Sequence, residues 1–244
     1  MLGPTHRIGG VAAGALVTVA IEKVLNIPIQ DPILFVSITM AGGAIGSLIP
    51  DIDSPSSTLG RRLKPISKAI SGTFGHRGGT HTILAWILFS IFIIITGNEL
   101  ERYLEAGGGV KKILVFAIIN SFIMTSSVLF LLNSMPIKHG KKEVKKYKLY
   151  IILAIIIITA YLTKEYDMDM LGYIQVYLVG VSIGYLSHIV LDMITKEGVP
   201  LFRPLFKFKV SLSPFKTGSG IEWVVKVCSL IVIAVSLINI LGCN

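Results

Sequence analysis

Charge is the first thing this chain lacks. Only 15% of its 244 residues are charged, against about a quarter in soluble domains. With 52% hydrophobic residues and a mean hydropathy of +0.74, that scarcity excludes an ordinary soluble domain. Cysteine is nearly absent too. Cys228 and Cys243 are too few for a disulfide framework or a thiolate metal site, and Cys228 sits in an apolar run, where packing is its expected role. Acidic residues number 14 against 23 Lys and Arg, a net charge of +9. In a membrane protein such an excess reflects basic loops on one side of the bilayer rather than nucleic-acid binding. The N-terminus does not read as a signal peptide, because one Arg precedes the apolar run and no cleavage region follows.

What is present is a series of apolar segments. Seven are legible, over residues 8–25, 32–49, 82–97, 113–133, 148–163, 172–193 and 223–241. The expected fold is an all-α, polytopic transmembrane bundle of about seven spans, forming one integral membrane domain over 1–244. Several segments fall short of the roughly 20 residues that cross a bilayer upright, the third and fifth most clearly. Seven spans put eighteen Lys and Arg on the side of the N-terminus and five on the other. By the positive-inside rule the N-terminus is cytoplasmic and the C-terminus outside. Gly10-x-x-x-Gly14, Gly42-x-x-x-Gly46 and Gly180-x-x-x-Gly184 mark the first, second and sixth spans as a closely packed core.

Two cytoplasmic loops stand out. In the long loop 51–81, Leu59, Leu63, Ile66 and Ile70 fall at helical spacing with Arg61, Arg62, Lys64 and Lys68 between them. This pattern fits an interfacial helix, which Pro65 would kink or start, and it equally fits a solvated basic loop. The loop 134–147 is basic, with a lysine cluster running from Lys138 to Lys148. It offers a surface to anionic lipid or a partner, and His139 there is read as a solvated residue.

The remaining histidines stand with carboxylates in three short polar clusters, at helix ends where such residues rarely lie without a reason. They are Pro50-Asp51-Ile52-Asp53, His76-Arg77-Gly78-Gly79-Thr80-His81 and Ser187-His188-Ile189-Val190-Leu191-Asp192, with His6 just ahead of the first span. His188 and Asp192 are four apart and share a helix face. Asp51 and Asp53 repel unless a cation or proton intervenes, or else they are helix-end charges facing water. Gly78 and Gly79 allow a tight turn, Thr80 suits a cap for the third span, and Arg77 has the fork that binds phosphate oxygens. The seven candidate metal ligands are His6, Asp51, Asp53, His76, His81, His188 and Asp192, all reaching one membrane face. They exceed the three that one open metal site needs and suit one or two divalent ions, with zinc first and manganese or iron also compatible. Glu222, after Thr217-Gly218-Ser219-Gly220, is open to three readings: ligand, general base or helix-dipole partner.

These motifs together resemble the YdjM family of membrane-bound metal-dependent hydrolases. The likeness rests on Thr5-His6, Pro50-Asp51-x-Asp53, His76-Arg77-x-x-Thr80-His81, Gly184-x-x-Ser187-His188-x-x-Leu191-Asp192 with Thr195 and Gly198, Pro200-Leu201-Phe202-x-Pro204, and Gly218-Ser219-x-x-Glu222. It implies an integral membrane hydrolase with a divalent metal centre. The His-x-x-x-Asp pair is also similar to zinc phospholipase C sites, which favours a phosphoester, by analogy of fold alone. The resulting expectation is metal-activated water attacking a lipid-linked phosphoester at the cytoplasmic face. Asp53, Arg77 and Glu222 would be the catalytic side chains and membrane lipids the partners. A metal-ion or solute transporter, or a membrane protein with a purely structural metal, is the rival.

Overall fold

The computed structural model describes residues 1–29, 31–75, 77–106, 150, 153–154, 157 and 171–242. His76, His139, the predicted span 113–133, the basic run 138–148 and all but four residues of the predicted span 148–163 lie outside the described residues.

The described chain is helical. α1 covers Gly3–Val19 with Pro4 in its first turn, where the missing N–H costs nothing, and it continues as a π-helical turn over Ala20–Val24. α2, Pro32–Gly46, is capped by Asp31, whose side chain accepts from Leu34 N at 3.1 Å. A 3-10 turn over Pro50–Asp53 follows. The long loop then forms two helices rather than one: α3, Thr58–Arg62, and α4, Lys64–Phe74, broken at Leu63. Pro65 marks the start of α4, since its ring is tolerated only in a first turn. α5 covers Ile83–Ala106, α6 Leu171–Met193 and α7 Ile221–Leu241.

Four stretches are long and apolar enough to cross a membrane: Pro32–Asp53, Ile83–Tyr103, Gly172–Met193 and Ile221–Leu241. They coincide with the predicted second, third, sixth and seventh spans. α1, the predicted first span, is helical but is not among these four.

By contacts the chain divides into two units, Met1–Ile93 with Tyr177–Asn244, and Ile94–Val176. In the second, the Gln175 amide donates to Asn98 Oδ1 at 2.6 Å. The first unit holds every described candidate ligand, and its core is built on small residues. A Cβ on Gly10 would meet Gly43 O at 2.2 Å, one on Gly14 would meet Thr39 O at 2.4 Å, and one on Gly184 would meet Gly43 O at 2.2 Å. The three glycine pairs therefore do bring α1, α2 and α6 together, as their spacing suggested. Between lipid-soluble helices the gain is close packing and hydrogen bonding, because burial of apolar surface distinguishes little from lipid tails. Thr18 and Thr39 supply such a bond, hydroxyl to hydroxyl at 2.8 Å. α7 closes on this core through Ala15, Val36 and Ile240. α5 docks on α6 through Trp86 Nε1, which donates to Ser182 O at 3.0 Å, and through the Ser90–Ser182 hydroxyl pair at 2.6 Å.

One position tests this packing. A Cβ on Gly46 would lie 2.0 Å from Val181 O, a backbone atom that cannot step aside alone. Gly46→Ala is expected to cost about 1–3 kcal/mol, read as a lowered thermal midpoint in detergent. Gly72→Ala, on α4 with nothing within 4 Å of its Cβ, is the control and is expected to be neutral or slightly stabilising.

Candidate metal centre

Five of the described candidates converge because four local structures aim them inward. On α6, His188 and Asp192 stand one turn apart, and both are at most 1% exposed. The 3-10 turn after α2 turns Asp53 fully inward, while Asp51 keeps its side chain 24% exposed. The turn 77–82 is tight: Arg77 has φ +59°, a left-handed conformation uncommon outside glycine. A Cβ on Gly78 would stand 1.6 Å from Phe74 O. Arg77 N donates to Asp53 Oδ2 at 2.8 Å, and Tyr185 Oη donates to Thr80 O at 2.5 Å. These bonds fix His81, fully buried, against α6. His6 arrives on the first turns of α1, its ring stacked on His188 at 3.6 Å between centroids and 9° between planes.

The ligating atoms form a triangle. His81 Nε2 lies 3.2 Å from His188 Nε2, and each lies 3.6 Å from Asp192 Oδ2. Metal–ligand bonds of about 2.0–2.1 Å at tetrahedral angles separate neighbouring donor atoms by about 3.3 Å. The triangle therefore has the size of one face of a coordination shell. Asp51 Oδ1 is 3.8 Å from His188 Nε2 on the open side, and His6 Nε2 is 3.2 Å from the other oxygen, Asp192 Oδ1. Two groups, His6–His188–Asp192 and Asp51–His81–His188, have donor atoms mutually within 4.8 Å.

The far side of each ring sets its chemistry. His188 Nδ1 stands 2.6 Å from Ser47 O. A carbonyl only accepts, so Nδ1 carries the proton and Nε2 presents its lone pair inward. His81 Nδ1 is 3.0 Å from Thr80 Oγ1 and 3.3 Å from Asp53 Oδ2, while the Thr80 hydroxyl donates to the same Asp53 oxygen at 2.6 Å. That carboxylate–imidazole pair again turns Nε2 toward His188 and Asp192. Burial and the adjacent His188 ring lower the His6 pKa to about 3, and burial likewise lowers that of His81 against the pull of Asp53. Both rings are thus neutral at pH 7, the form in which imidazole binds metal.

The sequence-predicted residues sort as follows. His6, Asp51, His81, His188 and Asp192 come together. Asp53 stands behind His81 and belongs to neither group of donor atoms. Arg77 Nη2 contacts Asp192 Oδ2 at 3.1 Å and Nη1 donates to Gly198 O at 3.5 Å. The Met1 amino group also pairs with Asp192. Glu222 accepts from Leu2 N, Thr5 Oγ1 and Gly218 N at 3.0, 2.8 and 2.9 Å. The predicted cap of the third span is not Thr80, which is engaged with Asp53, but Thr82, whose Oγ1 accepts from Ala85 N at 3.0 Å. The contribution of Ser47 O carried no signal in the sequence, because any residue supplies a carbonyl.

Asp53→Asn keeps the shape behind His81 and removes its charge. Metal affinity is expected to fall about 10- to 100-fold, as for other outer partners of ligating imidazoles, measured by competition with a chromogenic chelator.

The sequence profile described as YdjM inner membrane protein matches residues 1–141 and 147–242. The uncharacterized protein YvsG of Bacillus subtilis (strain 168) is 38% identical over 107 residues, which is 44% of this chain and 59% of that protein. The inner membrane protein YdjM of Escherichia coli (strain K12) is 27% identical over 176 residues, 72% of this chain and 54% of that protein, with the same figures for the Shigella flexneri protein. The chain thus spans a little over half the length of these curated relatives. No solved structure matches.

Proposed function

The chain belongs to the YdjM inner membrane protein family, and on that premise we propose that it is a membrane-embedded hydrolase. In this reading it holds a divalent metal and cleaves a phosphoester, with a lipid-linked substrate. The family description gives a location and no reaction, so the reading rests on the site. The observation that carries it is the triangle of His81 Nε2, His188 Nε2 and Asp192 Oδ2 at 3.2–3.6 Å, with the opposite ring nitrogens engaged elsewhere.

In this reading His81, His188, Asp192 and Asp51 hold one ion, zinc before manganese or iron. His6 meets the outer oxygen of Asp192 and would help hold a second ion. A bound metal supplies Lewis acidity, activating water and drawing charge from phosphoryl oxygens. The chain's own residues do the rest. Asp53 orients His81 through Nδ1. Arg77 neutralises Asp192 and anchors to Gly198 O. Asp51, the most exposed of the group, opens on a cleft of about 200 Å³ lined also by Ser56, Ser57, Thr58 and Arg61. Those hydroxyls and the guanidinium suit phosphoryl oxygens, so the substrate-facing charge is assigned to Arg61.

The test is hydrolysis of phospholipid and polyprenyl phosphoesters by metal-replete protein, beside Asp51→Asn. Turnover is expected in the wild type, with a loss of about 100-fold or more in the variant. The near-complete burial of His6, His81, His188 and Asp192 favours one other reading, a metal that only staples helices. Tight metal without turnover on any phosphoester would select it. Metal-dependent uptake into vesicles, lost in Asp51→Asn, would instead select transport.

A further inference from the structure

The connection between α6 and α7 carries an exposed surface that the metal centre does not use. Every residue from 202 to 209 is exposed. Leu205 is 82% exposed, Leu212 64% and Phe206 56%, with Phe202, Phe208 and Phe215 also open. The aromatic rings pack on one another, Phe202 on Phe208 at 5.9 Å and Phe206 on Phe208 at 5.8 Å. Arg203, Lys207, Lys209 and Lys216 are exposed among them, and no Asp or Glu occurs between Glu197 and Glu222.

The backbone here is fixed. Val199 and Val210 exchange both N–H···O bonds, at 3.0 and 2.8 Å. Leu212 N donates to Met193 O at 2.7 Å, Lys196 N donates to Phe215 O at 2.8 Å, and Ser213 Oγ donates to Ile194 O at 2.6 Å. The segment is thus tied to the end of α6, just past Asp192, and to Arg77 through Gly198 O.

We propose that segment 200–215 is an interfacial anchor whose partner is an anionic lipid leaflet, seated beside the proposed metal centre. Two physical limits set the depth. An apolar surface of this kind is unfavourable in water. A segment that is not helical leaves backbone groups that hydrocarbon cannot satisfy, so it cannot enter the bilayer core. The headgroup layer meets both conditions, with aromatic rings at its inner edge and Lys and Arg among the phosphates. The uniform positive charge selects an anionic leaflet over a neutral one. This assignment does not depend on the hydrolase reading.

The test places a nitroxide at Leu205→Cys in a Cys228→Ser/Cys243→Ser chain, reconstituted in phosphatidylcholine vesicles with and without phosphatidylglycerol. Collisions with oxygen, which concentrates in the bilayer, are compared with collisions with a water-soluble nickel chelate. Oxygen is expected to dominate in the anionic vesicles. The balance should move toward the chelate in neutral vesicles and, in anionic ones, in Lys207→Glu/Lys209→Glu. The neutral-vesicle arm tests the charge without altering the protein. Chelate dominance in anionic vesicles would overturn the proposal. Equal oxygen access in both lipids and in the variant would overturn the anionic assignment. Dipolar broadening between labels without oxygen access would give the surface to a second copy of the chain and overturn it as well.

Discussion

Protein purified with His188→Ala and Asp192→Ala together is expected to carry no stoichiometric metal, while the wild type carries about one or two equivalents of a divalent ion. The two side chains supply two corners of the donor triangle, at 3.6 Å from each other and 3.2–3.6 Å from His81. Asp192 also supplies the oxygen that meets His6. Their joint removal leaves His81, Asp51 and His6 without a shared carboxylate. Metal content by elemental analysis is the readout, with the thermal midpoint followed in the same samples. A bound ion that prefers the folded state stabilises it by mass action, so chelator should lower the wild-type midpoint and leave the variant unchanged. Wild-type protein without metal, even after reconstitution with zinc or manganese, would remove the basis of the hydrolase reading.

The second large effect is expected at Glu222, and it separates the roles its sequence position left open. Its Oε1 accepts from Leu2 N and Gly218 N, and its Oε2 from the Thr5 hydroxyl. The side chain is 4% exposed. It thereby clips the turn that carries His6 to the start of α7. Glu222→Ala leaves two backbone N–H groups and a hydroxyl without partners, at a cost of about 3 kcal/mol or more. Looser placement of His6 and weaker metal binding should accompany that loss. Glu222→Gln should restore most of it. The amide oxygen can take both N–H groups, and the amide nitrogen can donate to Thr5 Oγ1, reversing one bond and breaking none. A general base, by contrast, needs the ionisable carboxylate, and its replacement by Gln would reduce turnover about 100- to 10,000-fold. Glu222→Gln with near wild-type stability and turnover makes Glu222 a positioning residue. Wild-type stability with turnover abolished would make it the base.

Much of the first unit was legible along the chain because its signals are local. Long apolar runs predict helices of the observed extent at 32–49, 172–193 and 223–241, close to Pro32–Gly46, Leu171–Met193 and Ile221–Leu241. Small residues four apart predict which helices approach. His188 and Asp192 at helical spacing predict a shared face. The loop 51–81 was less legible. Its apolar spacing suggests one amphipathic helix, but Pro65 divides the helical stretch into α3 and α4 at Leu63. Thr80 and Thr82 are equally suited to capping on paper. Only the position of Asp53 decides which of them faces the helix and which the carboxylate.

By itself, the sequence determined that this is a helical membrane protein, that α1, α2 and α6 pack through glycine, and that a few His and Asp residues gather where apolar runs end. Composition and periodicity act along the chain and need no partner to be read. The tertiary structure alone decided what each of those residues does. Asp51 and Asp53 are chemically identical and two residues apart, yet the 3-10 turn directs one toward His188 and the other behind His81. Ser47 matters through a carbonyl, and Glu222 through donors more than 200 residues away. Ligation, support and anchoring differ in distance and direction rather than in residue type, and those are properties of the fold.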